Sequence, residues 1–538
     1  MHGHVETCHN WRVRRPTTLP QLFSQIGDTI IAEADGDQVT SPAELAELTA
    51  RVQAGLTALG LQAGDRIAVW LPNTVEYLAI LWASARLGLV VVSINTRYRN
   101  TEVADIAGRS GARQLVVDPS FLGIDFAGIL EELDKATVPS LEGIITINNA
   151  PRARLWPWPT TSFVGLTSYG NDTKDLSTPD SPSAVFTTSG TTRAPKLVMH
   201  TQRSQVDHAL DLAPGFGPSV LVALPLCGVF GHTMLLAGMA ASAKQVLLPI
   251  FDEHVAVRSI EQYGVKTFYA SDDILDRVLA VEGDLSSLDP VGYARFNNAL
   301  QDVAERAKAR GIDAVGLYGM SEVHALFAYR KPEDGVSATL PGGTLISPSA
   351  QARVVDPQSG AVLDPGSDGE LQLRGPSMFA GYLMTGGAGV DPELTTEHFQ
   401  DGWFKTGDLA RMQGKRSFEY LTRMGDVLRL GGFLVSPAEI EARLVSHPEI
   451  EAAQVVAIDL TTGAKAVAFV TLVDASEQDD PAGFDEEAIR QFCRQGLAGY
   501  KTPVRVVPID AFPTVASANG TKIQKVKLRQ MAAELSTT

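Results

Sequence analysis

The chain has 538 residues, of which 44% are hydrophobic and 20% are charged, a composition that excludes a disordered or fibrous protein and predicts several compact domains. Lysine and arginine number 45 against 62 aspartate and glutamate residues, so the net charge is −17, which opposes broad binding to nucleic acid or anionic lipid. An anionic ligand therefore needs a local binding site.

The cysteine content and the first residues of the chain indicate the cellular compartment. Cys8, Cys227 and Cys493 are scattered and odd in number, which disfavours a disulfide framework and favours a reducing compartment. The first residues, MHGHVETCHNWRVRRP, lack the apolar segment of a signal peptide, and we find no apolar run long enough for a membrane span. We therefore expect a soluble, cytoplasmic protein without an integral membrane segment.

Strand-like apolar runs alternate with helical patterns in the first part of the chain. The capping box Ser41-Pro42-Ala43-Glu44 predicts the start of a helix through LAELTARVQAGLTALG. The next runs indicate a strand in RIAVWL, a helix in TVEYLAILWASARLG and a buried strand in VVVSIN. Such alternation is typical of parallel sheets covered by helices.

The same alternation resumes after residue 215, with short strands in SVLVALP, QVLLP, KTFYAS and DAVGLYG. Between residues 350 and 420 the runs QARVVD and GELQLRG lie among many glycines and predict a small antiparallel subdomain. From Ser436 onward, a second capping box, the helix DEEAIRQFCRQGL and several strand-like runs predict a separate α+β domain. The chain is thus predicted to be an α/β protein with a small domain at its end.

The polar stretch TTSGTTRAPKLVMHT, from Thr187 to Thr201, follows the apolar run AVF. Backbone N–H groups and hydroxyls in such a turn can converge on phosphate oxygens, and Lys196 can add a positive charge. The segment is not a Walker loop, because the required glycine and lysine spacing is absent. A polar surface connector is an equally good reading of the residues alone.

Several blocks together resemble one known family. TSGTTRAPK is similar to the loop T-S-G-T-T-G-x-P-K-G of the acyl-adenylate-forming (AMP-binding) superfamily, with Arg193 and Leu197 in place of two glycines. Other blocks follow in the family's order: GLYGMSEV at 316–323, GELQLRGPSMFAGYL at 369–383, DGWFKTGDLA at 401–410, TRMGDVLRLGGFLVSPAEIE at 422–441 and NGTKIQKVKLR at 519–529. The resemblance covers residues 20 to 530 and points to the acyl-CoA synthetase and fatty-acid–CoA ligase branch.

The resemblance implies a fold and a reaction. The fold would have a large N-terminal domain of two helix-flanked sheets plus a small β subdomain, and then a small mobile α+β domain. We place the adenylation domain at residues 1–421 and the lid domain at 422–538. In the implied reaction, a carboxylate attacks the α-phosphate of MgATP and releases pyrophosphate, and the thiol of CoA then displaces AMP. The expected cofactors are ATP, Mg²⁺ and CoA.

Residue roles follow from the same resemblance, position by position. The phosphate-binding loop would be formed by Thr188, Ser189, Gly190, Thr191, Thr192 and Lys196. The rest of the nucleotide site would be formed by Tyr318, Gly319, Met320, Ser321, Glu322, Asp408, Arg423 and Lys522. Within these sets, Tyr318 would stack on adenine, Glu322 would bind Mg²⁺, and Lys522, Thr192 and Lys196 would be catalytic. Gly431 and Gly432 would border the pantetheine arm of CoA.

The substrate pocket is the least defined part of the site. The segment PLCGVFGHT has Cys227 and Gly228 where the family usually has Phe-His, and we assign both to the pocket together with His232 and Val323. The apolar runs GVFGHTMLLAGMAA and SEVHALFA favour a fatty or other hydrophobic carboxylic acid, hence a role in fatty acid or lipid metabolism. Both runs could also be plain core, and for Cys227 a small packing residue is favoured over a nucleophile.

Two further departures from the family pattern keep other functions open. The hinge position after Arg423 is Gly425 rather than Asp or Lys, and VGYARFNNAL replaces the usual adenine loop, so that Gly292, Tyr293 and Ala294 would take its place. The alternatives are an adenylation enzyme that loads a carrier-protein phosphopantetheine and a weakened acyl-nucleotide sensor. A dimer is a further possibility that the sequence leaves open.

Overall fold

The structure is a computed structural model. It describes residues 15–26, 31–34, 39–148, 156–188, 195–296, 300, 302–426, 428–430, 433–435, 437–460, 463–473, 484–497, 499–517 and 520–535. In this part of the chain, none of the helices combines the length and the apolar character that a membrane crossing requires.

The described residues form fifteen α-helices, which in chain order are α1 (Leu19–Phe23), α2 (Pro42–Ala58), α3 (Val75–Leu87), α4 (Asn100–Ser110), α5 (Phe126–Glu131), α6 (Phe163–Leu166), α7 (Gln202–Leu212), α8 (Val229–Ala240), α9 (Glu253–Tyr263), α10 (Asp272–Ala280), α11 (Val303–Ala309), α12 (Pro392–Glu397), α13 (Pro437–Val445), α14 (Glu486–Gly496) and α15 (Lys525–Leu535). The predicted capping box is confirmed at α2. There Ser41 Oγ accepts from the Glu44 N–H at 3.3 Å, and Glu44 Oε2 accepts from the Ser41 N–H at 2.8 Å.

The strands of the first half are β1 (Ile31–Glu33), β2 (Val39–Thr40), β3 (Arg66–Trp70), β4 (Val90–Ser93), β5 (Gln114–Val117), β6 (Gly143–Thr146), β7 (Thr160–Ser162), β8 (Pro182–Thr187), β9 (Leu197–Thr201), β10 (Ser219–Val222), β11 (Lys244–Leu247), β12 (Thr267–Ser271), β13 (Val291–Ala294) and β14 (Ala314–Met320). The runs predicted as strands in this part of the sequence all form strands. These runs are rich in valine and other apolar residues, which suits a buried sheet.

The strands of the second half are β15 (Ala325–Tyr329), β16 (Gly342–Leu345), β17 (Gln351–Val355), β18 (Asp368–Arg374), β19 (Gly381–Tyr382), β20 (Phe399–Gln400), β21 (Trp403–Met412), β22 (Ser417–Arg423), β23 (Leu428–Leu430), β24 (Phe433–Val435), β25 (Ile450–Leu460), β26 (Gly463–Leu472), β27 (Arg505–Pro508), β28 (Thr514–Ser517) and β29 (Gly520–Ile523).

Two large sheets make up the N-terminal part. The eight-stranded sheet has the order β19-β9-β8-β4-β3-β5-β6-β7, and its pairs are parallel except at β8–β9 and β9–β19. The fourteen-stranded sheet has the order β17-β18-β21-β22-β16-β15-β14-β13-β12-β10-β11-β1-β2, with β20 paired to β21. The predicted α/β class with two helix-flanked sheets is confirmed.

The antiparallel subdomain predicted between residues 350 and 420 is part of the larger sheet. Strand β14 pairs in parallel with β13 on one side and antiparallel with β15 on the other. The strands beyond β15, through β16, β22, β21, β18 and β17, are all antiparallel to their neighbours. Strand β14 is therefore where the parallel part of the sheet meets this antiparallel part.

One hydrophobic core joins the two sheets. It contains Val69 and Val91 from the smaller sheet and Val220 and Leu247 from the larger one, together with residues of α3 and α8. Every residue of α8 from Val229 to Met239 is buried, which explains why this helix is apolar on all sides. Burial of each large aliphatic side chain stabilises the fold by about 1.5–3 kcal/mol.

The C-terminal part is the predicted small α+β domain. Strands β25, β26 and β27 form a sheet with α13 and α14 on one face and α15 on the other. The hairpins β23–β24 and β28–β29 are separate two-stranded sheets. The predicted boundary between residues 421 and 422 falls within β22, so Arg423 belongs to the last strand of the large sheet rather than to the small domain.

Candidate active site

The candidate site surrounds the end of β14. Tyr318 lies in this strand, Glu322 lies in the short turn that follows it, and Asp408 and Arg423 face each other across β21 and β22. The β14–β15 ladder shifts register between Tyr318 and Gly319. Bulges of this kind often re-aim side chains beside active sites.

Gly319 cannot be replaced by a larger residue without moving the backbone. A Cβ at this position would lie 1.4 Å from the carbonyl oxygen of Ala325. His324 and Ala325 themselves have φ angles of 57° and 67°, in the left-handed region that costs non-glycine residues energy. The turn that carries Glu322 is therefore tightly constrained on both sides.

Asp408 is the centre of the first cluster. The Tyr318 hydroxyl donates to Asp408 Oδ2 at 2.6 Å, and Arg423 Nη1 forms an ion pair with Asp408 Oδ1 at 2.9 Å. Arg423 Nη1 also donates to the Thr406 carbonyl at 2.9 Å. Asp408 is buried, whereas about half of the Arg423 side chain is exposed, so solvent weakens this ion pair.

The charges of this cluster fix the roles of its hydrogen bonds. Burial raises the pKa of Asp408, and the Arg423 guanidinium opposes that rise. Burial and then the Asp408 charge raise the pKa of the Tyr318 hydroxyl well above its usual value. Tyr318 therefore stays protonated and acts as a donor. Its ring is only 6% exposed and packs edge-on against Phe418, so the ring is largely enclosed while the hydroxyl contacts Asp408.

Glu322 is the centre of the second cluster. It is buried, and the Tyr382 hydroxyl donates to its Oε1 at 2.9 Å. Burial and the Glu322 charge raise the pKa of Tyr382, so this hydroxyl is also a donor. The Glu322 carbonyl accepts from the Phe379 N–H at 2.8 Å, which ties the turn to the segment before β19.

Lys196 lies beside the second cluster. The Thr188 N–H donates to the Lys196 carbonyl, and the Lys196 N–H donates to Thr188 Oγ1, both at 3.0 Å, so the two ends of the predicted phosphate loop are joined. Lys196 Nζ lies 2.6 Å from His398 Nε2 and 4.6 Å from the centroid of the Tyr382 ring. The predicted loop residues Ser189, Gly190, Thr191 and Thr192, and also Arg193, lie outside the described residues.

The residues predicted for the substrate pocket separate into different surroundings. Cys227 is buried, and burial raises the pKa of its thiol to about 12, so a packing role fits it better than a nucleophilic one. Gly228 is the residue before α8, and Val323 packs in the core around Tyr318. His232 lies within α8, where its Nε2 donates to Gln205 Oε1 at 2.8 Å.

His232 belongs to a cluster of four buried histidines. His324 is central, with its ring centroid 4.8 Å from that of His200, 5.6 Å from that of His208 and 5.7 Å from that of His232. Burial lowers the pKa of His200 to about 4 and those of His208 and His232 to about 3, so the imidazoles are neutral at physiological pH. His200 Nε2 donates to the Ser321 carbonyl at 2.7 Å, which places this cluster directly behind the turn of Glu322.

The remaining predicted residues belong to the C-terminal part and its hinge. The backbone of Lys522 pairs with that of Val515 in the β28–β29 hairpin, and its side chain lies outside the described part of the structure. Gly431 and Gly432 also lie outside it, between the paired strands β23 and β24. At the hinge, Arg529 of α15 donates to the Gly425 carbonyl at 2.8 Å and contacts Asp426 Oδ1 at 2.5 Å.

Tyr293, which was expected to help replace the adenine loop, lies in β13 between two neighbouring strands. Its ring is buried in the core and its hydroxyl donates to the Thr339 carbonyl at 3.1 Å. These contacts hold Tyr293 inside the sheet and leave its ring no exposed face for adenine.

Sequence reasoning missed Tyr382, His398 and the histidines at 200, 208 and 324. Tyr382 lies inside the block GELQLRGPSMFAGYL, but no residue of that block pointed to Glu322. His398 lies three residues before the block DGWFKTGDLA and shares no motif with Lys196. Only the folded chain brings these residues together.

Glu322 suits Mg²⁺ by the chemistry of its donor atoms. Among the described residues, no group of three or more histidine, cysteine or acidic side chains is arranged to hold a metal ion. Mg²⁺ in nucleotide enzymes needs only one or two carboxylates, because phosphate oxygens and water supply its other ligands. A single buried carboxylate, that of Glu322, fits that requirement.

The sequence profile of the AMP-binding enzyme family matches residues 24–383, and that of the AMP-binding enzyme C-terminal domain matches residues 439–519. The chain belongs to the AMP-binding enzyme family. This AMP-binding enzyme is 30% identical to 4-coumarate–CoA ligase 5 of Oryza sativa subsp. japonica, over 96% of this chain and 95% of the relative. It is 27% identical to 2-succinylbenzoate–CoA ligase of Geobacillus kaustophilus, over 95% of this chain and 96% of the relative.

Solved structures show the same fold. ATP-bound MatB from Rhodopseudomonas palustris superposes with a TM-score of 0.78 at 24% identity, over 95% of this chain and 98% of that one. The expected adenylate-forming fold, with a large N-terminal α/β domain and a small C-terminal domain, is therefore confirmed. This AMP-binding enzyme is in the class of AMP-forming acid–thiol ligases, and ATP, Mg²⁺ and CoA are the cofactors of its family.

Proposed function

We propose that the protein is an ATP-dependent carboxylic acid–CoA ligase that activates a hydrophobic acid, such as a fatty or aryl acid, as its acyl-AMP. The observation that carries the proposal is the pair of buried carboxylates at the end of β14. Asp408 and Glu322 each accept from a tyrosine hydroxyl, and Lys196 lies over the ring of Tyr382, the tyrosine that donates to Glu322. The ribose hydroxyls of a bound nucleotide would donate to Asp408. Its triphosphate, bound together with Mg²⁺, would lie near Glu322 and Lys196.

In the first half-reaction, the protein would bind and orient the triphosphate. Asp408 would accept hydrogen bonds from the ribose hydroxyls, with Arg423 beside it as a donor. Bound Mg²⁺ would neutralise the charge that develops on the phosphate oxygens. Glu322 would hold that cation, and Lys196 would add a second positive charge near the leaving pyrophosphate.

In the second half-reaction, the C-terminal domain would rotate about Gly425. Glycine permits large backbone changes at a hinge, and movement there would break the contact of Arg529 with the Gly425 carbonyl and with Asp426. Lys522 would serve the adenylation conformation, and Gly431 and Gly432 would border the pantetheine arm after rotation.

The apolar character of α8 supports a hydrophobic acyl group. The helix is buried from Val229 to Met239, and it carries His232 into the histidine cluster behind Glu322. The curated relatives are named for 4-coumarate and for 2-succinylbenzoate, both of which are aromatic acids. We therefore propose the hydrophobic acids as a class, with aryl acids beside fatty acids.

The proposal is tested by pyrophosphate release with a panel of fatty and aryl acids, with and without CoA, and with products identified by mass. We expect acid-dependent release in both conditions and acyl-CoA only when CoA is present. Acid-dependent release without any acyl-CoA would favour transfer to a carrier-protein phosphopantetheine. Absence of release with every acid would favour a nucleotide-binding sensor.

The role of Lys522 is tested by separating the two half-reactions. We expect Lys522→Ala to block acyl-AMP formation while thioester formation from supplied acyl-AMP and CoA continues. Equal loss of both half-reactions would contradict the assigned role. Lys527→Ala, on an exposed position of α15, is the matched control and is expected to leave both unchanged.

A further inference from the structure

We propose that His398 is a positioning residue, which accepts a hydrogen bond from Lys196 and so holds the lysine ammonium over the Tyr382 ring for the phosphates of ATP. The inference rests on the proposed function for the identity of the ligand. It rests on geometry for the contact itself, since Lys196 Nζ and His398 Nε2 are 2.6 Å apart. No motif that predicted the site includes His398.

The His398 ring is held in place independently of Lys196. The residue directly follows α12 as its C-cap, and its carbonyl accepts from the Lys405 N–H at 2.8 Å, across the β20–β21 hairpin. The ring packs edge-on against Tyr382, with centroids 5.3 Å apart and an interplanar angle of 72°. The acceptor nitrogen is therefore fixed by backbone and by aromatic packing before any ligand binds.

Lys196 is held from two sides. His398 Nε2 takes one of the three N–H donors of the ammonium, and the Tyr382 ring lies beneath the charge at 4.6 Å from its centroid. The hydroxyl of the same tyrosine donates to Glu322. A continuous chain of contacts thus runs from His398 through Lys196 and Tyr382 to the carboxylate.

The direction of the hydrogen bond follows from the donor. A lysine ammonium can only donate, so His398 Nε2 must be the unprotonated nitrogen and Nδ1 carries the proton. Burial and then the Lys196 charge lower the pKa of His398, with Lys405 acting in the same direction and Glu397 opposing it. The neutral acceptor form is therefore the one present at physiological pH.

Two variants separate the hydrogen bond from the ring packing. His398→Phe keeps an aromatic ring against Tyr382 but has no acceptor, whereas His398→Gln keeps an acceptor near the position of Nε2 but has no ring. His254→Gln, at an exposed position of α9, is the matched control. Thermal unfolding of each variant checks that it is folded.

The first readout needs no nucleotide and no acid. An acceptor beside an ammonium favours its charged form, so its loss makes the amine more reactive. We expect Lys196 in His398→Phe to react with an amine-specific acylating reagent about three- to tenfold faster than in the wild-type protein, by peptide mass spectrometry. His398→Gln and His254→Gln are expected to stay within about twofold of the wild type. Normal reactivity in His398→Phe with altered reactivity in His398→Gln would overturn the proposal in favour of packing.

The second readout is nucleotide affinity. We expect His398→Phe to weaken ATP binding about tenfold and to leave AMP binding unchanged, because Lys196 serves the outer phosphates, and we expect His398→Gln to restore ATP binding. Equal weakening of AMP and ATP would contradict a role through Lys196. If the wild-type protein releases no pyrophosphate with any acid, the proposed function fails, while the acylation result still decides the His398–Lys196 contact.

A third measurement does not depend on any His398 variant. In the wild-type protein, Lys196 shields His398 Nε2 from diethyl pyrocarbonate, a histidine-specific reagent. We expect His398 to be carbethoxylated at least threefold faster in Lys196→Met, where the donor is lost. An unchanged rate at His398, with His254 as the internal standard, would show that the two side chains are not joined.

Discussion

Asp408 and Glu322 are two buried carboxylates that have the same kind of hydrogen-bond donor but differ in whether they form an ion pair. Each accepts from a tyrosine hydroxyl, Asp408 from Tyr318 at 2.6 Å and Glu322 from Tyr382 at 2.9 Å. Asp408 also forms an ion pair with Arg423, whereas Glu322 forms none with a lysine or arginine among the described residues. Asp408 thus has a cationic partner within the protein, whereas the described lysine and arginine residues provide none for Glu322.

The largest effect is expected when Glu322 loses its charge. Glu322→Gln keeps an acceptor for Tyr382 but removes the proposed ligand of Mg²⁺. We expect ATP–pyrophosphate exchange to fall about 100- to 1,000-fold, while AMP affinity stays within about twofold. Glu333→Gln, at an exposed position, serves as the control. An equal loss of AMP affinity would contradict the proposal that Glu322 serves only the triphosphate while Asp408 serves the ribose.

A smaller effect, on both nucleotides, is expected at Asp408. Asp408→Asn removes the ion pair with Arg423 and one charge-assisted acceptor for the ribose. A hydrogen bond to a charged group is worth roughly 1.5–3 kcal/mol, so AMP and ATP should both bind about 10- to 100-fold more weakly in calorimetric titrations. Asp368→Asn breaks an exposed pair with Arg411 and should leave both affinities unchanged. If Asp408→Asn weakened ATP binding but not AMP binding, the assignment of Asp408 to the ribose would be wrong.

The two tyrosine hydroxyls, the donors to these carboxylates, can be tested directly. We expect Tyr318→Phe to weaken AMP and ATP equally, by about three- to tenfold, and Tyr382→Phe to weaken MgATP by the same factor without affecting AMP. Each variant removes one oxygen and keeps the ring, so packing changes little. If both variants lost the same affinity for AMP and for MgATP, the two hydroxyls would not serve different parts of the nucleotide.

The smallest effect concerns stability rather than binding, and it arises in the histidine cluster. The pKa values of His208 and His232 are lowered from 6.5 to about 3, so these groups take up protons more readily in the unfolded chain. The stability that these neutral imidazoles contribute is therefore complete only well above pH 6.5, and it falls as the pH drops through 6.5 towards 3. Between pH 7.5 and pH 6.0 we expect a loss of roughly 1 kcal/mol per imidazole in the free energy of unfolding.

That loss is measured by denaturant unfolding across the pH range. In His208→Gln, we expect the free energy of unfolding to fall less steeply with pH, by the contribution of one imidazole. His254→Gln, at an exposed position, is expected to keep the wild-type slope. An unchanged slope in His208→Gln would assign the acid sensitivity to the carboxylate clusters instead.

Much of the fold was predictable because its signals are local. The capping box at Ser41 and the apolar runs that became β3, β4 and β10 depend only on neighbouring residues. Asp408 and Arg423 could be assigned from ordered motifs, and the register of β21 and β22 then brings them face to face.

The rest could not be predicted because its partners are distant in sequence. His398 is 202 residues from Lys196, and the histidines of the cluster come from β9, α7, α8 and the turn after β14. In the sequence, a single histidine in an apolar segment is interpreted as a core residue. The residues next to it in the sequence do not indicate which side chain it contacts in the fold. The same limit applies to Tyr293, which was assigned only by its position in place of the family's adenine loop and which lies in a central strand.

The change of pairing at β14 has a consequence for how the protein folds. Tyr318 and Asp408 are separated by 90 residues, and the contact between them requires the late strands β21 and β22 to have joined the sheet. Contacts over such separations form slowly, because long loops must close first. A nucleotide that binds only the finished sheet will stabilise it, by about 2.7 kcal/mol at a hundredfold excess over Kd. We therefore expect stabilisation by AMP to require β21, and a chain that ends before β21 to lack it.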